Sequence, residues 1–491
     1  VAFTSLSVAE PVDAVLRLQE TVSMKQLAQN VTDPASPRYR QFYTPEEIRA
    51  VAGPSDAAYA RLIGKLKADG ATIVRESPTH LFIAIRADRS YLSKIDQLVR
   101  SPLVARSASP LARVSSVNGL VSGPKRHPHV HVLDGRSHDF QGFGPSDIRK
   151  AYGLDTVYQT VPNATGQHIA IATYMGYYVD DVNQYYQNNS ISPAPQVDTV
   201  SFNGTAQYDM ESAAETQVDA ELSGMIAPGA SIHVFTSAQN SDAGELAMFT
   251  AILDDNRAKV VNYSWGSCED QLQDSHKTDM DKVFDRAVAQ GVNIFVASGD
   301  TGSDCDGDGS NAADFPAISP DVIAVGGTTL TISGTSASEA GWSGSGGGIS
   351  KKYAKPDYQS GLDASKYTGR AYPDVAFNAD PNSGEPVWIH YDPTGLSTPT
   401  SASSQVIGGT SIASPQWAGF IALVGAARDG KAGVGFLNPT LYAIGANSQG
   451  SYFNDITSGN NGLFTAAAGW DAVTGWGSMK AAELLQYLSN I

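Results

Sequence analysis

Beyond Gly144 the chain alternates short, almost wholly apolar runs with stretches of helical spacing, and no other feature narrows the possible folds so far. The apolar runs fall at 168–172, 231–235, 259–263, 292–297 and 322–325, with helical stretches at 217–225, 245–254 and 280–290. A strand that is apolar along its whole length has no face to give to water, so both faces must be covered. Strands of that kind joined through helices predict an α/β unit, a parallel sheet flanked by helices. The chain before ~110 reads as a smaller α+β unit. A helix is expected over 12–29, with Pro11 at its start and Val15, Leu18 and Val22 on one side. Thr44-Pro45-Glu46-Glu47 opens a second helix, 57–68 and 91–98 read as further helices, and 71–74 and 81–85 as strands.

Charge is unevenly spread over the 491 residues. Residues 1–140 hold 18 Lys+Arg against 13 Asp+Glu, the remainder 15 against 37, and the total is −17. A basic front piece and an acidic body attract each other at neutral pH, and the attraction fades as carboxylates gain protons. The acidic body argues against a nucleic-acid partner, because phosphate binding needs a basic face. No apolar run approaches the ~18 residues that cross a bilayer, so no membrane partner is expected. The chain begins at Val1, and its first residues lack a basic-then-apolar leader pattern, as if a targeting segment were removed or omitted. From 115 to about 143 the composition turns to Gly, Pro, Ser, His and charge without periodicity, which marks a linker. Four of the nine histidines, His127, His129, His131 and His138, fall there. They read either as part of a solvated linker or as a segment that gains charge near pH ~6 and is then released or cut. Cys268 and Cys305 are the whole cysteine complement, compatible with one disulfide or with two buried thiols.

The chemistry-bearing candidates are mostly oxygen acids. Ser411 follows Gly408-Gly409-Thr410 and opens an apolar helical stretch at 413–424. A serine there is either an ordinary N-cap or a nucleophile whose oxyanion would be stabilised by exposed N–H groups and the helix dipole. Glu215 and Asp219 stand four apart, on one face of a helix, just ahead of the apolar Ser223-Gly224-Met225-Ile226-Ala227-Pro228 run. Two carboxyl groups that close titrate as a pair with one pKa raised, so Glu215 could accept a serine proton while Asp219 shares it. Glu211 and Glu221 are competing acids, expected to be solvated. Asp300, in Ser298-Gly299-Asp300-Thr301-Gly302 after a strand, is either a turn residue or an acid that donates when protonated. Asp304-Cys305-Asp306-Gly307-Asp308-Gly309 starts like a calcium-binding loop, but Phe315 stands where the bidentate acid belongs, so it reads as an acidic loop.

The run Gly408-Gly409-Thr410-Ser411-Ile412-Ala413-Ser414-Pro415 is similar to the nucleophile loop of subtilisins, and the stretch from Met225 to Val234 is similar to the segment after their histidine helix. No histidine occupies the base position. Together with Ser264-Trp265-Gly266, Ser345-Gly346-Gly347-Gly348, Pro373-Asp374-Val375 and the prodomain-like Tyr39 and Phe42-Tyr43-Thr44-Pro45-Glu46-Glu47, the chain resembles the sedolisin (serine-carboxyl peptidase) family in its pro-form, over nearly its whole length. The resemblance implies a subtilisin-like sheet with an N-terminal ferredoxin-like α+β prodomain. It implies Ser411 as nucleophile, Glu215 as base, Asp219 as its proton-sharing partner and Asp300 as oxyanion acid. It further implies a disulfide between Cys268 and Cys305. One structural calcium ion is implied at Asp455, Ile456, Ala467, Gly469 and Asp471, where the family usually has glycine in place of Ala467. Thr173 departs from members that carry a glutamate there. The expected organisation is an inhibitory prodomain at 1–118, a linker with the activation cut at 119–142 and a catalytic domain at 143–491. The expected protein is a secreted, monomeric, acid-active endopeptidase made as a self-activating zymogen, with polypeptides as substrates and its own prodomain as inhibitor. A tripeptidyl-peptidase of the same family and a catalytically silent binding protein on this fold are the alternatives.

Overall fold

The computed structural model describes residues 11–101, 109–121, 123–132, 141–204, 206–207, 210–390, 402–428 and 433–491. These form two compact units.

The first unit begins with β1 (Val12–Leu18), α1 (Met24–Thr32), α2 (Pro45–Ala52), α3 (Asp56–Ala68), β2 (Thr72–Glu76), β3 (Phe82–Ala87), α4 (Arg89–Arg100) and β4 (Val114–Asn118). Its four strands make an antiparallel sheet in the order β2-β3-β1-β4, with helices between β1 and β2 and between β3 and β4, which is ferredoxin-like connectivity. Leu16, Leu18, Ile83 and Ile85 meet Leu62, Leu66, Leu92 and Ile95 in its core. The helix expected over 12–29 is instead a strand followed by a helix. Val15 and Leu18 suit a three-residue spacing, yet Ala14, Leu16 and Leu18 share the buried face with a period of two. Pairing with β3 on one side and β4 on the other decides the matter, and Ser23 caps the helix that comes next. At α2 the reciprocal Thr44–Glu47 capping box and Pro45 in the first turn form as the sequence suggests.

The second unit opens with β5 (His127–Pro128), β6 (His131–Val132), α5 (Pro145–Ala151) and α6 (Leu154–Thr160). It continues through β7 (His168–Thr173), α7 (Val179–Asn188), β8 (Gln196–Phe202), α8 (Met210–Ile226) and β9 (Ser231–Ser237). The chain then makes α9 (Asp242–Asp255), β10 (Val260–Tyr263), β11 (Trp265–Cys268), α10 (Asp274–Ala289), β12 (Asn293–Ala297), β13 (Asp314–Phe315), β14 (Ile323–Ser333) and β15 (Ser336–Gly341). Next come β16 (Gly348–Ala354), β17 (Gly369–Tyr372), β18 (Val375–Asn378), β19 (Glu385–Ile389), β20 (Ser403–Gly408) and α11 (Thr410–Ala427). The main sheet has eight strands in the order β15-β14-β12-β10-β7-β9-β8, with β18 also on β14. Every pairing except β14–β15 is parallel. β10, β12 and β18 are buried along their whole length, and for β10 and β12 this is why the sequence reads as apolar runs at 259–263 and 292–297. α11 packs along α8 and is buried from Thr410 to Val424.

Helices α9 and α10 belong to the first unit. There the carboxylate of Asp279 on α10 accepts from Arg17, Ser116 and Asn118, and Asp254 on α9 pairs with Arg286 and accepts from Ser77. Cys268 and Cys305 are joined in a disulfide, settling the alternative left open by the sequence. Among the described residues no helix is long and apolar enough to cross a membrane.

Candidate active site

The chain leaves β20 through Gly409, whose φ of 108° is open to glycine and strained for other residues. This turn places Thr410 and Ser411 at the start of α11. The Ser411 hydroxyl donates to Glu215 Oε2 across 2.8 Å, and both side chains are fully buried. Burial, reinforced by the charge of Asp219 one turn along α8, pushes the pKa of Glu215 well above the ordinary carboxylate range. Burial likewise raises Asp219, and the donors Ser264 and Asn262 pull it partly back. Among the described residues Glu215 Oε1 and Asp219 Oδ2 have no hydrogen-bond partner, so each acid keeps one oxygen unpaired.

The other oxygen of Asp219 is fixed by a chain of donors. Ser264 Oγ donates to Asp219 Oδ1 (2.7 Å), the Asn262 amide donates to Ser264 Oγ (3.0 Å), and Ser414 Oγ donates to Asn262 Oδ1 (2.6 Å). Ser414 lies one helical turn beyond Ser411, so the chain of hydrogen bonds returns to the helix that carries Ser411. Sequence reading missed Asn262 and Ser414. Asn262 begins an Asn-x-Ser triplet, but its side chain is fully buried and is not a glycan acceptor in the folded chain. Thr173 pairs hydroxyl to hydroxyl with Thr216 (2.7 Å).

Asp300 follows β12 and reaches the start of α11. Its Oδ1 accepts from Thr410 N (2.7 Å) and Thr410 Oγ1 (2.8 Å). Glu221 is a correction to the sequence reading. It is fully buried, accepts from the Trp388 backbone N–H (2.9 Å), and burial drives its pKa well up. The cause is that the described side chains of α8, from Ala214 on, are all buried, so the helix has no solvated face there. The side chain of Glu211 lies outside the described residues, as does all of His138.

The histidine-rich segment lies in the site. β5 pairs antiparallel with β11 (His127 with Gly266, Pro128 with Trp265), and β6 with β20 (His131 with Gly408, Val132 with Ile407). Between them His129 N donates to Ser264 O (3.2 Å), and Ser411 N donates to His129 O (3.1 Å). A Cβ on residue 409 would stand 2.2 Å from that carbonyl oxygen and 2.5 Å from Asp300 Oδ2, so both oxygens crowd the same glycine. The His129 ring is buried with its Nε2 3.5 Å from Asp314 Oδ2. Burial works against charge on the ring, and Asp314 outweighs it, raising the His129 pKa. Asp314 is itself raised by burial, partly offset by His129. His131 Nε2 lies 3.2 Å from Asp300 Oδ2, and that contact raises the ring's pKa against partial burial.

A separate oxygen cluster sits near the C-terminus. Asp471 Oδ2 accepts from Ala467 N (3.0 Å), and Asp455 Oδ2 accepts from Gly469 N (3.3 Å), so two carboxylates grip one turn. Asp471 is 3% exposed, and among the described residues neither acid pairs with a basic side chain. Ile456, next to Asp455 in the chain, is buried. In the 304–309 loop the carboxylates are taken up locally, Asp304 by Gly309 N (2.6 Å) and Asp306 by Gln271 (2.8 Å).

Residues 179–474 match the Subtilase family (Peptidase_S8), and residues 7–95 match the pro-kumamolisin activation domain. Kumamolisin from Bacillus sp. (strain MN-32) is 35% identical over 82% of this chain and 74% of that protein. Sedolisin from Pseudomonas sp. (strain 101) is 28% identical over 97% of this chain and 86% of that protein. A solved structure of Pseudomonas sedolisin, a serine-carboxyl proteinase complexed with pseudo-iodotyrostatin, superposes with a TM-score of 0.62 at 31% identity, covering 72% of this chain and 99% of that one. The fold and the site define a serine-carboxyl peptidase, made with an N-terminal activation domain. The chain belongs to the sedolisin family and is its pro-form.

Proposed function

We propose that this zymogen cuts itself in acid between His129 and Val130, and that the released enzyme is an acid endopeptidase using Ser411, Glu215, Asp219 and Asp300. Glu215 takes the Ser411 proton as the hydroxyl attacks the peptide carbonyl, and Asp219 shares the proton. The Ser411 N–H and protonated Asp300 hold the oxyanion. Glu215 returns the proton to the leaving amine and then activates the water that frees the acyl group. One observation carries the reading: the Ser411 amide already holds the His129 carbonyl while the Ser411 hydroxyl bonds Glu215. The segment continues past the third residue before the bond, to Arg126 and Lys125. A cleft open that far suits an endopeptidase better than a tripeptidyl-peptidase. Asp314 beside His129 favours a basic residue before the cut.

Asp455 and Asp471, with carbonyls of Ile456, Ala467 and Gly469, supply the hard oxygen donors that calcium takes, so the residues fit one structural ion. When bound, the ion would neutralise two carboxylates and tie the two loops together. The disulfide suits a secreted protein.

The test is full-length Ser411→Ala and Glu215→Gln, each purified and held at about pH 4, where carboxylates titrate. Wild type should yield a new chain beginning at Val130 by mass spectrometry, and neither variant should. Processing of Ser411→Ala at the wild-type rate would defeat the assignment.

A further inference from the structure

The linker does more in the site than present a bond to be cut. His131, two residues past His129, touches Asp300, the acid assigned to the oxyanion. Of the two Asp300 oxygens, Oδ1 already accepts twice from Thr410. A proton for the oxyanion must therefore sit on Oδ2, the oxygen that crowds Gly409 beside the His129 carbonyl. That same Oδ2 faces His131 Nε2 at 3.2 Å. A cationic imidazole at that distance favours an Oδ2 without a proton, whereas donation to the oxyanion needs a proton on that atom. These are opposed demands on one oxygen.

We infer that His131 holds Asp300 as an acceptor in the uncut chain, so that the cleft is restrained by a cationic side chain two residues beyond the cut until acid separates the pair. The inference rests on the proposed role of Asp300. The titratable neighbours of Asp300 are His131 on β6, Glu215 on α8, Asp314 on β13 and the His129 ring; α11 offers it the uncharged Thr410. Glu215 and Asp314 are acids whose negative charge, when present, opposes ionisation of Asp300, which leaves the two linker imidazoles, His129 and the nearer-contacting His131, to favour it. His131 is 53% exposed, so salt screens the contact. The restraint is thus suited to tuning a threshold and not to blocking the enzyme outright. The linker would act as substrate through His129 and as brake through His131.

The experiment compares full-length chains carrying His131→Gln and His131→Arg with wild type, following the pH at which half the chain is processed. Glutamine removes the charge, and its midpoint should lie higher by roughly half a unit to one unit, the scale of a partly exposed opposite charge. Arginine keeps the charge at every pH, and its midpoint should lie at or below that of wild type. Activated His131→Gln enzyme, which begins at Val130 and brings no imidazole of its own at 131, is then given synthetic copies of residues 125–132 with His, Gln or Arg at the 131 position. At pH 6 the Gln peptide should be cleaved about three- to tenfold faster than the Arg peptide, the same shift on a rate scale. Coincident midpoints would overturn the inference. So would an order seen in the full chain but not in the peptides, because that would place the effect in linker docking. Failure of wild type to process at all would instead bring down the reading of the site on which this one stands.

Discussion

Ser264 has one hydroxyl proton and gives it to Asp219; its oxygen then accepts from Asn262. These contacts fix the direction of the whole chain, from Ser414 through Asn262 and Ser264 to Asp219, and leave the opposite face of Asp219 for Glu215. They also bias the acid pair. Ser264 and Asn262 favour the ionised form of Asp219, so their loss raises the affinity of the pair for its protons. Ser264→Ala should lower kcat by about tenfold to a hundredfold, the range for one displaced catalytic group, with little change in KM. Its pH–rate profile should move to higher pH, because the pair then yields a monoanion later. Ser264→Thr should restore both. A uniform loss of rate with an unmoved profile would show that Ser264 only packs. Ser411, Glu215, Asp219 and Asp300 are legible because each sits in a short local pattern. Ser264 stands out inside Ser264-Trp265-Gly266, but its partners Asp219 and Ser414 lie far away in the chain, and only the closed sheet brings them together.

At the scale of elements, legibility tracks burial. β7, β10 and β12 have no solvated side, so their composition alone announces them. β1 is misleading because seven residues can satisfy a helical and an alternating pattern at once, and its two neighbouring strands decide between them. Glu221 misleads for the opposite reason: a charged residue on a helix looks solvated until the helix is known to be buried all round. The turn from Ala467 to Asp471 and the strand end at Asp455 pose the same problem, since nothing local to either says they meet. If they hold calcium, the ion ties two segments that otherwise share only side-chain-to-backbone bonds. Calcium at a hundredfold excess over its dissociation constant would add about 2.7 kcal/mol to the folded state. The thermal midpoint of full-length Ser411→Ala at pH 6 should therefore fall by a few degrees with chelator and recover with calcium. Asp471→Asn should lose this response. Equal midpoints with and without calcium in the parent would remove the ion from the account.

At the scale of the whole molecule, buried carboxyl groups set how the second unit responds to acid. The second unit buries Glu215, Asp219, Glu221, Asp314, Glu339 and Glu385, and burial is the leading cause that raises each pKa, to about 8 for Glu385. A carboxyl group whose folded pKa is raised keeps a proton that the unfolded chain releases. Stability from these groups is present in acid and is lost as pH rises from the unfolded value near ~4.3 through the folded one. The chain's formal net charge of −17 at pH 7 adds repulsion of the same sign. In the first unit the buried carboxylates of Asp279 and Asp254 are instead paired with Arg17 and Arg286. Acidification should therefore firm the sheet that leads to Ser411. Hydrogen exchange on Ser411→Ala reads this directly. After correction for intrinsic rates, amides of β7, β10, β12 and α11 should gain protection between pH 7 and pH 4.5. Loss of protection in these elements would mean that acid acts on the second unit by general destabilisation, and that its buried carboxyl groups do not set its response to pH.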